Sequence, residues 1–218
     1  MGIFIGLLIV ALWFLNLGVA MWWTLDWLSP ITYLIFLVQT HLFTGLFITA
    51  HDAMHGTVAE NKRLNRGIGQ LCTFLYAFFS YNILYEKHHK HHRHVGTEED
   101  PDHADAPFFR WYLRFVLNYI TIYQFLGYAI AFNILKLFLP TENLIVFWII
   151  PSIASTFQLF YFGTYLPHRG EHEVENVHKA RSQSKNHIWA FFSCYFFGYH
   201  YEHHDKPYLP WWQLYKHK

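Results

Sequence analysis

Charge is what this chain has least of. Only 14% of its 218 residues are Asp, Glu, Lys or Arg, well under the ~25% of an ordinary soluble domain. The formal net charge is +1, so there is no broad basic surface, and nucleic acid is excluded as a partner. Two cysteines, Cys72 and Cys194, make neither a disulfide framework nor a cysteine-rich zinc site. No C-x-x-C-H haem site, four-cysteine iron–sulfur motif or G-x-G-x-x-G turn is present, so the chain carries no electron carrier or dinucleotide site of its own. No basic stretch precedes the first apolar run, which argues against a cleaved signal peptide.

The abundant classes are apolar and aromatic residues, at 53% and 21%, and histidine, with 17 copies. A bilayer span takes about 20 apolar helical residues. Runs of that order are Gly2–Trp23, Pro30–Ala50, about Phe115 to Leu139, and Leu144–Leu166. The expected fold is therefore an all-α membrane protein with four transmembrane helices, in a single domain over residues 1–218. A fifth uncharged run, Gly67–Tyr85, is flanked by histidine clusters on both sides. Were it to span, those clusters would face opposite compartments, so it is expected as an interfacial or re-entrant helix. Lysine and arginine concentrate in the histidine-bearing loops and avoid Thr24–Ser29 and Pro140–Asn143. By the positive-inside rule the histidines form a cytoplasmic cap on an integral multi-pass protein surrounded by membrane lipid.

Histidine spacing carries the chemistry. "HDAMH" sets His51 and His55 at i, i+4; "HHKHH" holds His88, His91 and His92, and "HYEHH" holds His200, His203 and His204, both at i, i+3, i+4. His168 follows the fourth apolar run. These spacings share one helix face, so each triplet is expected to aim at one point. Neutral imidazole binds iron, zinc, copper and nickel. Nine candidates exceed the ligands of one ion and imply two. A rival register in the middle box, His88, His89 and His92, is geometrically poorer. His41, Thr44 and Ile48 continue the His51/His55 stripe, and for His41 a contact with a neighbouring helix is the ordinary reading. Carboxylates able to bond the outer N–H of ligating histidines are Asp52, Glu86, Asp100, Glu202 and Asp205; for each, a solvated loop charge is the plain alternative.

The pattern H-x-x-x-H, H-x-x-H-H, H-x-x-H-H resembles the membrane fatty-acid desaturase and hydroxylase superfamily. "HHKHHRHVGTEEDPD" carries T-x-x-D-P behind its box as those enzymes do, favouring His88, His91 and His92. "HDAMHGTV", "LFYFGTYLPHR" and "FGYHYEHHDKPYLPWW" further resemble the β-carotene ketolase family. The resemblance implies an all-helical enzyme with two iron ions, O2 as cosubstrate and no catalytic residue beyond the metal ligands. It also implies oxidation of the C4 methylene of a β-ionone ring through two hydroxylations at one carbon and loss of water, β-carotene giving echinenone or canthaxanthin. The carotenoid would come from the bilayer, and electrons from an external donor such as ferredoxin, for which Arg169, Lys179, Arg181 and Lys185 offer a basic surface. Thr164 falls near the position of the desaturases' extra asparagine ligand. Phe79, Tyr161, Tyr165 and Phe197 are the aromatic candidates for lining the substrate. The alternatives are a carotenoid 3-hydroxylase, a fatty-acid desaturase or hydroxylase, and, outside enzymes, a histidine-rich metal transporter.

Overall fold

A computed structural model describes all 218 residues, and every regular element is helical. Helix α1 (Gly2–Trp22) is apolar except for Asn16, while α2 (Pro30–Met54) starts on Ser29, whose side chain accepts the Ile31 N–H, with Pro30 in the first turn. Proline costs nothing there, because the first turn's N–H groups have no helical partners. Helix α3 (Lys62–Ala77) is capped by Asn61, which accepts from the N–H groups of Arg63 and Leu64, and it stops at Phe78 in the left-handed region (φ 57°). Helix α4 (Tyr81–His94) carries the middle histidine box back along α2. The run Gly67–Tyr85 is thus two helices meeting at a tight corner.

The third apolar run corrects the sequence expectation. It is not one continuous helix but α5 (Phe108–Tyr119) and α6 (Ile122–Leu135), bent by 80°. Ile120 is extended, and Thr121 opens α6 with a capping box in which the Thr121 and Gln124 side chains exchange bonds with each other's backbone. Such a box satisfies N-terminal N–H groups and so favours a fresh helix start at that point.

Helix α7 (Thr141–His168) is 28 residues long and contains two wide, π-type turns, Ile145–Ile149 and Tyr161–Tyr165. Each stands two residues before a proline, Pro151 and Pro167. A proline inside a helix has no N–H and crowds the carbonyl four residues earlier, and a widened turn relieves both problems. Three short helices follow: α8 (His187–Cys194), α9 (His200–Asp205) and α10 (Trp211–Leu214).

Three helices, α1, α2 and α7, are long and apolar enough to cross a membrane, or four spans if the bent pair counts as one. Helix α2 is the central post, packed against α1, α3 and α7. Far from the histidines, the Asn143 amide donates to the carbonyls of Ala20 (2.7 Å) and Trp23 (2.8 Å), and Asn16 donates to Gln39 Oε1 (2.7 Å). The Asn143 bonds add a donor to carbonyls at the end of α1, and the Asn16 bond ties α1 to α2, where lipid offers no hydrogen-bond partner. At the other end of α2, Asp52 Oδ2 accepts the backbone N–H of Trp211 (3.0 Å), tying the C-terminal helices to the post.

Candidate metal centre

The last turn of α2, the second half of α4, the end of α7 and all of α9 deliver nine histidines to one place. They fall into two groups: His51, His55, His88, His92 and His203, and His91, His168, His200 and His204. Within each group one ring nitrogen per residue lies within 4.8 Å of all the others. His88 Nε2 is 2.6 Å from His55 Nε2, and His92 Nε2 is 3.1 Å from His203 Nε2. In the second group His204 Nε2 lies 3.2 Å from His91 Nε2 and 3.0 Å from His200 Nε2.

The partition differs from the sequence expectation. Each triplet does not aim at one point but is shared between the groups. His88 and His92 go one way and His91 the other; His200 and His204 go one way and His203 the other. The reason is angular: at about 100° per residue, i and i+4 nearly coincide while i+3 and i+4 diverge by a full residue step.

The residues fit a metal ion at each group. The His91 Nδ1–H donates to Asp100 Oδ1 (2.8 Å) and the His168 Nδ1–H donates to the Lys179 carbonyl (2.7 Å). An imidazole committed through Nδ1–H presents a bare lone pair at Nε2. His168 Nε2 and both nitrogens of His51 are buried without any partner. Lone pairs facing one another without protons are repulsive, and a cation between them removes the conflict. Neither group contains a carboxylate; an all-imidazole donor set suits iron, zinc, copper or nickel rather than magnesium or calcium.

Electrostatics keep the donors neutral. Burial and then His89 push His55 down to about 3. Burial and then neighbouring imidazoles, His55 first, push His92 down to about 2. His88, His200, His203 and His204 lie well below the ordinary 6.5 for the same two reasons. His91 is the exception. Burial lowers it, but the Asp100 hydrogen bond with the charges of Asp102 and Asp100 outweighs that and raises it.

Of the expected carboxylates, Asp100 bonds a ring nitrogen of the nine, and its other oxygen accepts the Gly96 N–H (2.8 Å). Asp52 Oδ1 stands 3.6 Å from His51 Nδ1, its other oxygen being taken by Trp211. The remaining three turn elsewhere. Glu86 is exposed on α4, Glu202 accepts from Ser182 and Lys218, and Asp205 faces His178 and Lys206. Glu202 and Asp205 lie next to a boxed histidine in sequence and Glu86 lies two residues before one, and on a helix positions one or two residues apart point to different faces. His89 sits 3.2 Å from the Met54 carbonyl and outside both groups, so the rival register is not the one adopted. His41 stacks on Tyr195 with centroids 4.2 Å apart and is not part of the cluster.

An apolar cavity abuts both groups, reaching His51 and His88 of the first and His91 and His200 of the second. Of the four aromatic candidates Phe79 and Phe197 line it, and so does Thr164. Tyr161 and Tyr165 do not; they pack with Phe108 on the other side of α7. Sequence reasoning missed Phe47, Met54, Leu84 and Tyr119 on the cavity wall. Tyr119 donates its hydroxyl to Asp102 Oδ1 (2.5 Å), whose other oxygen is 3.9 Å from His91 Nδ1.

An all-helical chain with bilayer-length apolar helices and two all-histidine donor groups at one end of them defines a membrane-embedded histidine-box metalloprotein. The fatty acid desaturase family model matches residues 25–142 and 105–218. The chain is 43% identical to a beta-carotene ketolase of Paracoccus sp. (strain N81106 / MBIC 01143), over 94% of this chain and 87% of that protein. It is 39% identical to a zeaxanthin 4-ketolase of Chlamydomonas reinhardtii, over 98% of this chain and 52% of that protein. A beta-carotene ketolase of Haematococcus lacustris is 41% identical, over 83% of this chain and 60% of that protein. The chain thus spans little more than half the length of these two algal relatives. No solved structure matches. The chain belongs to the fatty acid desaturase family and, within it, to the beta-carotene ketolases.

Proposed function

We propose that this protein is a carotenoid 4-ketolase: an O2-dependent membrane oxidoreductase that converts the C4 methylene of a β-ionone ring to a ketone. The observation that carries the reading is the partition of nine imidazoles into two carboxylate-free groups sharing one apolar cavity. In this reading the nine are the ligands of two iron ions, which supply oxygen activation when bound, with electrons from an external donor.

The chain's own residues do the rest. Asp100 and the Lys179 carbonyl hold His91 and His168 in the tautomer that presents Nε2. Phe197 packs edge-on against His51 and His200, centroids 4.8 and 4.9 Å away, fixing both rings and closing the cavity wall. Phe47, Phe79, Leu159 and Phe197 give the cavity an apolar lining, which suits a lipid-dissolved hydrocarbon and keeps bulk water from the reacting carbon.

Counting α5–α6 as one bent span, the reading has four spans with both ends of the chain and all nine histidines on one side, and the Lys and Arg distribution supports the cytoplasmic side. For a basic donor surface Arg169, Lys179, Arg181 and Lys185 are all exposed, the Arg181 guanidinium also donating to the carbonyls of Arg169 and Glu171.

Expression in a host that makes β-carotene, with pigment chromatography and metal analysis of purified protein, tests the reading. Red ketocarotenoid and about two irons per chain are expected. Yellow hydroxylated pigment would make it a 3-hydroxylase, and unchanged β-carotene with bound iron would point to the lipid-desaturase alternative.

A further inference from the structure

The cavity at the histidines does not end where they do. A second apolar cavity adjoins it, and Phe79, Phe115, Tyr119 and Thr156 line both. These four side chains are the neck between an inner chamber, with about 730 Å³ of atom-free space, and an outer one, with about 960 Å³, open mouths included.

The neck is built to be smooth. Its hydroxyls are all occupied by protein partners: Tyr119 donates to Asp102, and the Thr156 and Tyr112 hydroxyls bond each other at 2.7 Å. What remains facing the passage is ring face and methyl group. No charged residue lines the outer chamber.

The outer chamber lies in the corner made by the 80° bend. Val116, Tyr119 and Ile120 line it from the α5 arm, and Gln124, Phe125 and Tyr128 from the α6 arm, with α7 opposite. Its mouth is on the lipid-facing surface. Phe125 on α6 and Ile153 on α7 both line the chamber, yet are 58% and 57% exposed. Nearby Leu117 and Ile122 are more exposed still, a continuous apolar surface of the kind that faces lipid.

We propose that this corner is the lateral portal for the carotenoid: one ring passes the neck to the histidines while the polyene behind it lies in the outer chamber and the far ring stays in lipid. The inference rests on the carotenoid reading above and adds where the substrate enters and which residues select it. Flat aromatic walls favour a stiff conjugated chain, which stacks along them, over a saturated acyl chain, which does not. The capping box of Thr121 and Gln124 thereby acquires a role beyond starting a helix, because a straight α5–α6 span would have no corner.

The test uses the whole protein with Ile153→Trp and Val116→Trp, one on each side of the chamber, and Ile130→Trp as control. Ile130 is 61% exposed on α6 and lines neither cavity. Each variant is given β-carotene and, separately, a truncated carotenoid with one ring and a short tail. Ketone product, pigment copurifying with the protein and iron content are measured. Ile153→Trp and Val116→Trp are expected to lose roughly tenfold on β-carotene and most copurifying pigment, with iron unchanged and short-substrate conversion within about twofold of wild type. Ile130→Trp is expected to match wild type on every readout. Equal losses on both substrates, no loss on either, or an acyl lipid instead of pigment retained by active wild type would overturn the portal. Wild type converting neither substrate would sink the ketolase reading itself.

Discussion

The rings of His92 and His204 stack, with centroids 4.3 Å apart and planes 28° from parallel, although His92 belongs to the five-histidine group and His204 to the four-histidine group. They come from α4 and α9, more than a hundred residues apart in sequence. This contact is one of those that join the two donor groups.

His92→Ala and His204→Ala are each expected to reduce bound iron from two per chain to one or fewer, and to lower ketone formation by more than about a hundredfold. Metal analysis of purified protein with pigment chromatography checks both. A variant that kept two irons and near-normal product would remove that histidine from the ligand set.

Asp100→Ala deprives His91 of the carboxylate hydrogen-bonded to its Nδ1 and leaves the Gly96 N–H unpaired as well. Iron affinity is expected to fall by about 10- to 100-fold in chelator competition. Glu86→Ala, on the exposed side of the same helix–loop unit, is expected to change nothing. The comparison separates a specific bond from a general loss of negative charge near the cluster.

A Cβ on Gly163 would stand 2.5 Å from the ring of Phe197, the side chain that packs on His51 and His200. Gly163→Ala is expected to destabilise the protein by ~1–3 kcal/mol and to depress activity through the displaced rings. The double variant with Phe197→Leu should recover part of the lost Tm. Thermal melts in detergent measure both, and an unperturbed single variant would show that the π-type turn of α7 yields easily.

Metal-free protein should be acid-sensitive in a predictable window. His55, His88, His92, His200, His203 and His204 all bind protons less readily folded than the ordinary 6.5. Below that value the unfolded chain takes up protons that the folded chain refuses, so stability is full above about pH 6.5 and falls as pH drops toward the depressed folded values. Iron-loaded protein should hold on to lower pH, since bound metal adds its own linkage. Denaturation midpoints of both forms from pH 8 to about 5 provide the check; a flat apoprotein profile would contradict the buried, neutral state.

Much of this was legible in the chain. Apolar run length announced α1, α2 and α7, and histidine spacing announced eight of the clustered residues, with His168 marked only by its place after an apolar run, because these signals are local: a helix rises a fixed distance and turns a fixed angle per residue. The α5–α6 corner was also written locally, in the T-x-x-Q of Thr121 and Gln124, but an apolar run masks such a signal when only length is counted. Glu86, Glu202 and Asp205 misled because nearness in sequence is not nearness in direction.

The sequence by itself determined that this protein would be helical, lipid-embedded and rich in imidazole donors at one end of its helices. Only the tertiary structure decided how nine histidines divide into five and four, which carboxylate serves them, and where the cavity opens. Those outcomes depend on relative rotation of α2, α4, α7 and α9, set by packing among residues far apart in the chain, and no spacing within one helix encodes the angle at which another meets it.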